Sequence, residues 1–435
     1  MTVDLAQEAR DKGIDYFLIS FVDLFGVMRA KLVPAAAING MARDGAGFAG
    51  FAAWLDMTPA DSDMFAVPDP SSLIQLPWKP SVGWLAADLF MDGEEVAHAP
   101  RNTLKRVLRA AEGQGLRMKH GVECEYFLIT PDGQSLADAA DTQDKPCYDV
   151  AALMRRYDVI REVCDAMIAL GWGPYQNDHE DANGQFEMNW DYADALVTAD
   201  RHAFFKYMVK TIAENHGLRA TFMPKPFADL TGNGCHAHIS VWSPDGTTNV
   251  FSDPKGDLGV SKTGYHFLGG LMAHATSMCA ITNPTVNSYK RINAATTTSG
   301  ATWAPNLVTY GGNNRTHMIR IPDPGRIELR LADGAANPYL LPAAILAAGL
   351  EGINQQRDPG PRLDINIYAE AHKAEGASRL PLNLLDAVRE LEGNSAFCAA
   401  LGNETVSAFA KLKQAEWNAY ASHHTAWERQ NALDC

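Results

Sequence analysis

Three short apolar segments of the chain carry a charged residue at every second position. The runs Glu123–Glu125, His236–His238 and Arg326–Arg330 read E-C-E, H-A-H and R-I-E-L-R. In a β-strand, residues i and i+2 point to the same face. The pattern therefore predicts three strands, each with one charged and one apolar face, in a fold that buries the apolar faces and gathers the charged ones on a common side.

Carboxylates two residues apart on a strand repel one another, so Glu123 and Glu125 require a compensating charge. Glu180 and Glu187, on either side of a Gly-containing turn, add two more carboxylates. A set rich in Glu, with one His and several Arg, suits Mg²⁺ or Mn²⁺ with phosphate. Two alternatives stay open: solvated sheet faces with paired charges, and a zinc site built on the two histidines, for which no third Cys or His has convincing spacing.

Length and charge exclude several classes of protein. The 435 residues suffice for two or three domains, and the formal net charge of −15 argues against binding to nucleic acid or to an anionic membrane. The seven cysteines include no close CxxC pair, which suits reduced thiols rather than a disulfide framework. Because the sequence has no signal peptide and no apolar run of about 20 residues, we expect a cytoplasmic protein without a membrane span.

Apolar periodicity predicts an α+β fold with a boundary near residue 100. Strands at 16–22 and 27–33 and many turn residues indicate a small β domain, after which Asn102 or Thr103 could cap a helix that ends near Gly113. Beyond this boundary, strands and helices alternate. The predicted strands are 123–129, 221–226, 235–242 and 326–331, and the predicted helices are 152–170, 198–216 and 337–355.

Several longer segments resemble the signatures of the glutamine synthetase family, in the same order and spacing over nearly the whole chain. They are Ala220–Pro226, Gly232–His238, Asn283–Thr285, Asn287–Arg291, Asn314-Arg315, Arg320–Pro322, Arg326–Arg330 and Ala335–Tyr339, with a turn at Asp23–Gly26 near the start. The match is far more specific than one short motif.

The resemblance implies a fold and an assembly. Residues 1–100 would form a β-grasp-like N-terminal domain, and residues 101–435 a large catalytic domain whose curved antiparallel sheet forms a funnel. The family also implies a homo-oligomer, a dodecamer of two hexameric rings, in which a neighbouring N-terminal domain completes each site.

The resemblance further implies the roles of individual residues. One metal ion would be held by Glu125, Glu180 and Glu187, and a second by Glu123, His236 and Glu328. Glutamate and the transferring phosphoryl group would contact Gly232, His236, Arg291, Arg315 and Arg330. The three arginines and Glu180 would be catalytic, and the nucleotide would contact His238, Ser240, Arg320 and Arg326.

The implied reaction joins three small-molecule substrates, glutamate, ATP and an amine. Because the side-chain carboxylate of glutamate is a poor electrophile, ATP would first convert it to γ-glutamyl phosphate. Cations along the phosphates and Arg at the developing charge suit this transfer. The amine, after losing a proton to a nearby carboxylate, would then attack the acyl phosphate.

Two departures from the family concern the amine. Bacterial glutamine synthetases carry a Phe-Asp-Gly-Ser-Ser segment whose Asp helps to bind ammonium, and the matching stretch 48–52 has Ala49 and Ala52 in place of the carboxylate and a hydroxyl. The Glu of the family's flexible loop, which precedes Ala-Pro, is replaced by Trp303 after a Thr/Ser/Gly stretch at 296–302.

These departures favour a methylated amine. Methylammonium keeps three N–H donors and adds a methyl group that gains nothing from a carboxylate, whereas an indole can contact it by a cation–π interaction. The predicted amine pocket comprises Ala49, Ala52, Tyr148, Glu180 and Trp303. We therefore expect a methylamine-using branch of the family, close to the type III glutamine synthetases, that forms γ-glutamylmethylamide. The alternatives are a larger alkylamine, or ammonium with a carboxylate such as Asp56; an inactive relative is disfavoured because the matched ligands are intact.

Overall fold

Seven strands from the first hundred residues form one mixed sheet. The computed structural model describes residues 3–295 and 297–435, so Thr296, the first residue of the Thr/Ser/Gly stretch, lies outside the described residues. The strands are β1 (Tyr16–Val22), β2 (Met28–Pro34), β3 (Ala46–Phe48), β4 (Met64–Pro68), β5 (Ile74–Gln75), β6 (Val82–Met91) and β7 (Glu94–Glu95). Their order is β2-β1-β6-β4-β3, with β5 and β7 also paired to β6, and the helices α1 (Leu5–Lys12) and α2 (Ile38–Asp44) accompany them.

The predicted turn between β1 and β2 is present. The Asp23 carboxylate accepts hydrogen bonds from the backbone N–H groups of Phe25 and Val27, at 3.0 Å each. Gly26 has φ +80°, a conformation that glycine adopts without steric cost. The Asp-xx-Gly pattern therefore fixes the hairpin and its register.

The helix α3 (Pro100–Glu112) begins earlier than predicted. Ala99 is its N-cap residue and Pro100 occupies the first helical position, where the missing N–H of proline has no consequence. The predicted caps are wrong: Asn102 and Thr103 lie inside the helix and are buried. Asn102 instead exchanges hydrogen bonds with the backbone of Leu89, and Thr103 donates to the carbonyl of Ala97.

The rest of the chain contributes a four-stranded and a six-stranded sheet. The strands are β8 (Arg117–Cys124), β9 (Tyr126–Ile129), β10 (Pro174–His179), β11 (Gln185–Trp190), β12 (Ala193–Asp194), β13 (Arg219–Thr221), β14 (Cys235–Trp242), β15 (Tyr310–Gly311), β16 (Ile319–Asp323) and β17 (Arg326–Leu329). The smaller sheet has the order β10-β11-β9-β13 and the larger one β12-β8-β14-β17-β16-β15. All pairs are antiparallel except β15 with β16.

Two predicted strands are shorter or divided. The predicted strand 123–129 breaks at Glu125, whose N–H donates to the carbonyl of Gly234 at 3.1 Å, and the chain passes there from the six-stranded to the four-stranded sheet. The predicted strand 221–226 ends at Thr221. Beyond it, Pro224 and Pro226 have no N–H group to donate to a neighbouring strand. The side-chain amide of Asn233 instead donates hydrogen bonds to the backbone carbonyls of Thr221 and Met223.

The helices of the larger region cover and surround these sheets. They are α4 (Val150–Arg155), α5 (Tyr157–Ala169), α6 (Ala195–Asn215), α7 (Lys262–Ala273), α8 (Ala275–Thr282), α9 (Ser288–Ile292), α10 (Leu340–Asn354), α11 (Ile367–Glu370), α12 (Leu384–Gly393), α13 (Ser395–Leu401), α14 (Asn403–Ala421) and α15 (Ala426–Ala432). The predicted helix 152–170 is divided at Arg156, whose φ of −109° and ψ of 12° are not helical. Within the described residues, no helix is long and apolar enough to cross a membrane.

The apolar sheet faces form the core, as predicted. Cys235, Ala237 and Ile239 of β14 and Ile327 and Leu329 of β17 are at most 1% exposed. The helix α6 packs against β8, and α10, which corresponds to the predicted helix 337–355, is almost wholly inaccessible. The class is α+β, as expected, while the division into domains at residue 100 stays a prediction.

Candidate active site

The charged faces of three neighbouring strands line one cavity. In the six-stranded sheet β14 lies between β8 and β17, and His236 pairs directly with Glu123. The predicted residues that line the cavity are Glu123, Glu125, Tyr148, Glu180, Glu187, Gly232, His236, Arg291, Trp303, Arg315, Arg320, Glu328 and Arg330. Because Glu187, His236 and Glu328 are at most 6% exposed, the alternative of solvated sheet faces is wrong.

One half of the cavity is a cluster of carboxylates. Glu180 follows β10 and Glu187 lies on β11, and one oxygen from each lies within 4.8 Å of an oxygen of Asp178. Burial, with the negative charge of Glu125 added, raises the pKa of Glu180 to about 8. Burial and the charge of Glu123 likewise raise the pKa of Glu187 well above its ordinary value. Such crowding of oxygen ligands suits a hard divalent cation.

Glu125 completes this half of the cavity. Its Oε2 accepts hydrogen bonds from the N–H of Gly234 at 2.7 Å and from Gln185 Nε2 at 3.0 Å. These bonds fix Oε2 of Glu125. The other oxygen, Oε1, lies on the side of His236, 3.9 Å from its Nε2.

The second half combines carboxylates with imidazoles. Glu123 Oε1 lies 2.9 Å from His238 Nε2, and Glu123 Oε2 lies 3.4 Å from His236 Nδ1. Glu328 Oε1 lies 3.9 Å from the same His236 nitrogen. Burial lowers the pKa of His236 and leaves its imidazole neutral, and its buried Nε2 has no hydrogen-bond partner in the described part of the chain. A neutral imidazole beside two carboxylates is a fitting cation ligand set.

The zinc alternative gains no support here. The groups that lie close to His236 and His238 are carboxylates, Glu123, Glu187 and Glu328. Cys124 and Cys235 point to the opposite, buried face, where Cys235 Sγ lies 3.9 Å from His202 Nε2. Both thiols are wholly inaccessible and pack in the core.

Glu328 is held ionised by two arginines. Although burial acts to raise its pKa, Arg330 lowers the pKa of Glu328 to about 2. Arg330 NH1 donates to Glu328 Oε1 at 2.6 Å, and Arg320 NH1 donates to Oε2 at 2.8 Å. Glu328 therefore stays ionised at neutral pH.

Two buried arginines have N–H groups without a hydrogen-bond partner in the described residues. Arg291 donates to the carbonyl of Leu331 at 3.1 Å, while the Nε groups of Arg291 and Arg330 have no partner in the described residues. Burial lowers the pKa of Arg291, so an anionic ligand would stabilise its charged form. Beside it, a Cβ on Gly232 would lie 2.3 Å from the carbonyl oxygen of Pro224. The resemblance assigns these residues to glutamate and phosphate, and the free donors fit that assignment.

The residues predicted to contact the nucleotide are divided between two cavities. His238, Ser240 and Arg326 line an adjoining cavity, walled by Tyr175 and Trp242 among others. Arg320 lies in the first cavity instead. Glu123 lines both cavities, so they meet at its carboxylate.

The predicted amine pocket is not assembled within one chain. Tyr148, Glu180 and Trp303 line the main cavity. Ala49 and Ala52 instead lie in a separate surface pocket, at the edge of the N-terminal sheet next to β3. The sequence match places these two alanines in the motif, but it does not specify which copy of the chain they serve. Asp56, the alternative carboxylate, pairs with Lys411 at 2.7 Å and does not line the cavity.

Several lining residues escaped the sequence analysis. They are Cys147, Gln176, Asp178, Asp181 and Thr231. Asp178 had a usable signal, because it alternates with Glu180 as Glu123 does with Glu125. Asp181 had none; its importance comes from a hydrogen bond with Trp303, 122 positions along the chain, where the indole Nε1 lies 2.6 Å from Asp181 Oδ2.

Two aromatic residues of the cavity adopt strained backbone conformations. Tyr148 has φ +66° and Trp303 has φ +52°, in the left-handed region that bulky residues rarely occupy. Such residues cost about 1–3 kcal/mol each and cluster at functional sites. Both residues belong to the predicted amine pocket.

Comparison with known proteins agrees with this geometry. Residues 97–432 match the glutamine synthetase catalytic domain. A glutamine synthetase of Rhizobium leguminosarum bv. phaseoli is 65% identical over the whole of both chains. A glutamate–methylamine ligase of Methyloversatilis universalis is 41% identical, with 98% of each chain covered. A solved structure described as a GmaS/ADP complex, in conformation 1, is 68% identical with a TM-score of 0.96 over the whole of both chains. The chain belongs to the glutamine synthetase family, ATP-dependent ligases that use divalent metal ions.

Proposed function

We propose that the protein joins the side-chain carboxylate of glutamate to methylamine, with ATP and Mg²⁺ or Mn²⁺, and releases γ-glutamylmethylamide, ADP and phosphate. The observation that carries the proposal is the position of Trp303 beside Glu180 in the main cavity. There an indole takes the place of a carboxylate that other family members have at this motif.

The comparisons support this amine without establishing it for this chain. One relative is named a glutamate–methylamine ligase, and two structures that cover the whole chain, at 68% and 66% identity, are described as GmaS. The second of these is described as lacking ligand.

The chain's own residues suit the first chemical step. Arg291, Arg315 and Arg330 would bind the glutamate carboxylate and the charge that develops on the transferring phosphoryl group. Glu125, Glu180 and Glu187 would hold one cation, and Glu123, His236 and Glu328 the other. When bound, these cations supply positive charge that offsets the phosphates of ATP.

The second step requires a proton acceptor near the amine. Methylammonium has to lose a proton before its nitrogen can attack the acyl phosphate. Glu180 and Asp178 line the same cavity as Trp303, and an ionised carboxylate there is the predicted proton acceptor. Burial raises the pKa of Asp178, which makes this side chain a stronger base than an ordinary aspartate.

The methyl group would gain from the aromatic wall. A cation over an indole face contributes about 0.5–2 kcal/mol, and Tyr148 adds a second ring and a hydroxyl. A single methyl group discriminates by about 1–3 kcal/mol, so some activity with ammonium is expected.

Ammonium is the second candidate, favoured by one specific observation. The Rhizobium leguminosarum relative at 65% identity and a Rhizobium meliloti relative at 62% are both named glutamine synthetase.

We also propose that Ala49 and Ala52 serve the amine site of a neighbouring copy, in the dodecamer that the family resemblance implies. Their pocket opens at the surface, and Phe51 and Trp54 beside it are 52% and 51% exposed. Native mass spectrometry of the full chain measures the copy number; a monomer would contradict this proposal.

The test of the proposed function is phosphate release from ATP with glutamate and Mg²⁺, and with methylamine, ammonium or ethylamine as the amine. We expect kcat/KM for methylamine to exceed the value for ammonium by about tenfold, a difference of about 1.4 kcal/mol. Higher efficiency with ammonium would instead identify an ordinary glutamine synthetase, and higher efficiency with ethylamine a ligase for larger amines.

A further inference from the structure

One carboxylate oxygen gathers the loop that carries Trp303. Asp181 Oδ2 accepts a hydrogen bond from Trp303 Nε1 at 2.6 Å and from Thr231 Oγ1 at 3.2 Å. The hydroxyl of Ser299 donates to the same oxygen. Asp181 directly follows Glu180 and lines the main cavity, so the loop is fastened at the rim of the carboxylate cluster.

Two further bonds fasten the same loop. Lys145 Nζ donates to the carbonyl of Ser299 at 2.9 Å, and the backbone N–H of Thr298 donates to the carbonyl of Asp229 at 2.9 Å. Thr297 and Ser299 are 6% and 7% exposed, so this segment is packed into the structure.

Trp303 depends on these contacts for its position. Its φ of +52° is unfavourable for a bulky residue and has to be stabilised by the surroundings. In the part of the chain that the structure describes, Asp181 is the one hydrogen-bond acceptor of the indole N–H. Loss of this carboxylate would remove the main polar contact that opposes the strain.

The carboxylate of Asp181 is occupied by hydrogen bonds within the protein. Three side-chain donors converge on its Oδ2. This arrangement distinguishes Asp181 from Asp178 and Glu180, whose oxygens lie together in the carboxylate cluster.

We infer that Asp181 is a positioning residue that determines amine specificity: it fixes the loop 297–303 so that the Trp303 indole forms one wall of the subsite for a small primary alkylamine. This inference rests on the proposed function, and it adds the residue that sets the dimensions and apolar character of the subsite. Asp181 acts through Trp303 and needs no contact with the substrate.

The first arm of the test measures the loop directly. Hydrogen–deuterium exchange of the full-length protein should show protected amides at Thr298 and Gly300, which donate to Asp229 and Thr297. In Asp181→Ala these amides should exchange about tenfold faster or more, because the segment opens locally. Asp229→Ala is the matched control; its side chain is exposed and only its backbone carbonyl holds the loop, so exchange should remain that of the wild type.

The second arm measures amine kinetics. Asp181→Ala and Trp303→Phe should each raise KM for methylamine by about fivefold, less than loss of the whole indole would, with a smaller change in kcat at saturating amine. Because both changes remove one contact, the double variant should be no worse than the more affected single variant. Asp181→Asn keeps an acceptor oxygen, so KM for methylamine should rise less in this variant than in Asp181→Ala. This variant also serves as a test of the inference if Asp181→Ala fails to fold.

The outcomes are separable. Unchanged exchange in both Asp181 variants would overturn the inference, whichever amine the wild type prefers. Faster exchange together with additive kinetic effects would overturn the link to Trp303. A wild-type preference for ammonium would defeat the proposed function, while the exchange arm would still decide whether Asp181 positions the loop.

Discussion

At the scale of single residues, the cavity holds carboxylates of opposite character. Glu328, between Arg320 and Arg330, has its pKa lowered to about 2, whereas burial and Glu125 raise the pKa of Glu180 to about 8. Chemically identical side chains thus differ because one has guanidinium partners and the other has carboxylate neighbours. The first is suited to a fixed charge, and the second to releasing a proton when a cation binds.

This contrast predicts proton release on metal binding. Without metal, Glu180 is mainly protonated at pH 7, below its raised pKa, and a cation binds the ionised form. Because the pKa of Glu187 is raised as well, Mg²⁺ binding at pH 7 should release at least about one proton, and Mg²⁺ affinity should rise between pH 6 and pH 8. Calorimetric titration in two buffers of different ionisation enthalpy measures the proton count.

Glu180→Gln serves as the control for this measurement, because it removes the titrating group while keeping its size. Its Mg²⁺ affinity should be lower and its proton release smaller. The same Mg²⁺ affinity for the wild type at pH 6 and pH 8 would contradict the assignment of Glu180.

The amine preference should depend on residue 303. Trp303→Glu restores the acid that family members have before Ala-Pro, and it removes the apolar wall. The ratio of kcat/KM for methylamine to that for ammonium should fall by about tenfold, in line with the loss of a cation–π contact. Trp303→Phe keeps a ring without the N–H and should lower the ratio less. A ratio unchanged in Trp303→Glu would show that the indole does not contact the amine.

At the scale of elements, β14 begins where the two halves of the main cavity meet. A Cβ on Gly234, just before this strand, would lie 2.8 Å from His236 Nε2, 2.9 Å from Glu125 Oε1 and 3.0 Å from Arg291 NH2. Three polar groups of the site thus surround one backbone position. The glycine leaves the space in which these groups approach one another.

Gly234→Ala should therefore disturb the site more than the fold. We expect Mg²⁺ affinity and kcat/KM for glutamate each to fall by about tenfold or more, since displacement of a site residue by about 1 Å can cause losses of that size. Gly393→Ala, where a Cβ meets open space, is the control and should leave both quantities unchanged. Equal Mg²⁺ affinity in the wild type and Gly234→Ala would contradict the predicted ligand set.

The bounds of a strand or helix were predictable from the sequence where a single local pattern determines them. The alternation of charge and hydrophobe predicted β14 with both of its ends, and it brought Glu123, His236 and Glu328 to one cavity. The break at Glu125 was missed, because it depends on a bond to Gly234, which lies far along the chain. The start of α3 was misplaced because Pro100 begins the helix without a side-chain cap.

At the scale of the whole molecule, one buried arginine joins the N-terminal sheet to the rest of the chain. Arg101 on α3 is 3% exposed and binds Asp69, Asp88 and Asp200 at 2.6 to 2.9 Å. The hydroxyl of Tyr339, next to α10, donates to Asp200 at 2.8 Å. Segments on both sides of the predicted boundary at residue 100 therefore share one network.

Arg101→Ala should destabilise the protein strongly. The change leaves three carboxylates without their cation, and breaking a buried ion pair costs about 3–5 kcal/mol. Arg109→Ala on the same helix is the control, because its pair with Glu95 is about half exposed, and it should cost less than about 1 kcal/mol. Chemical denaturation of both variants measures the free energy of unfolding. Similar losses in the two variants would contradict the structural role of Arg101.

The amine subsite shows what the sequence could not supply at this scale. The substitutions at Ala49 and Ala52 were visible in the motif, but the two residues lie apart from Trp303 in one chain. Under our proposal they serve a neighbouring copy, and no local pattern in a single sequence encodes the arrangement of copies. Asp181 was invisible for a similar reason, since its partners, Thr231, Ser299 and Trp303, are distant in sequence.

A competition experiment tests the central claim most directly. The full-length protein would receive glutamate, ATP, Mg²⁺ and equal concentrations of methylamine and ammonium, and mass spectrometry would measure γ-glutamylmethylamide and glutamine early in the reaction. The product ratio equals the ratio of the two kcat/KM values, and we expect γ-glutamylmethylamide to exceed glutamine by about tenfold. An excess of glutamine would contradict the claim that Trp303 forms a subsite for a methylated amine.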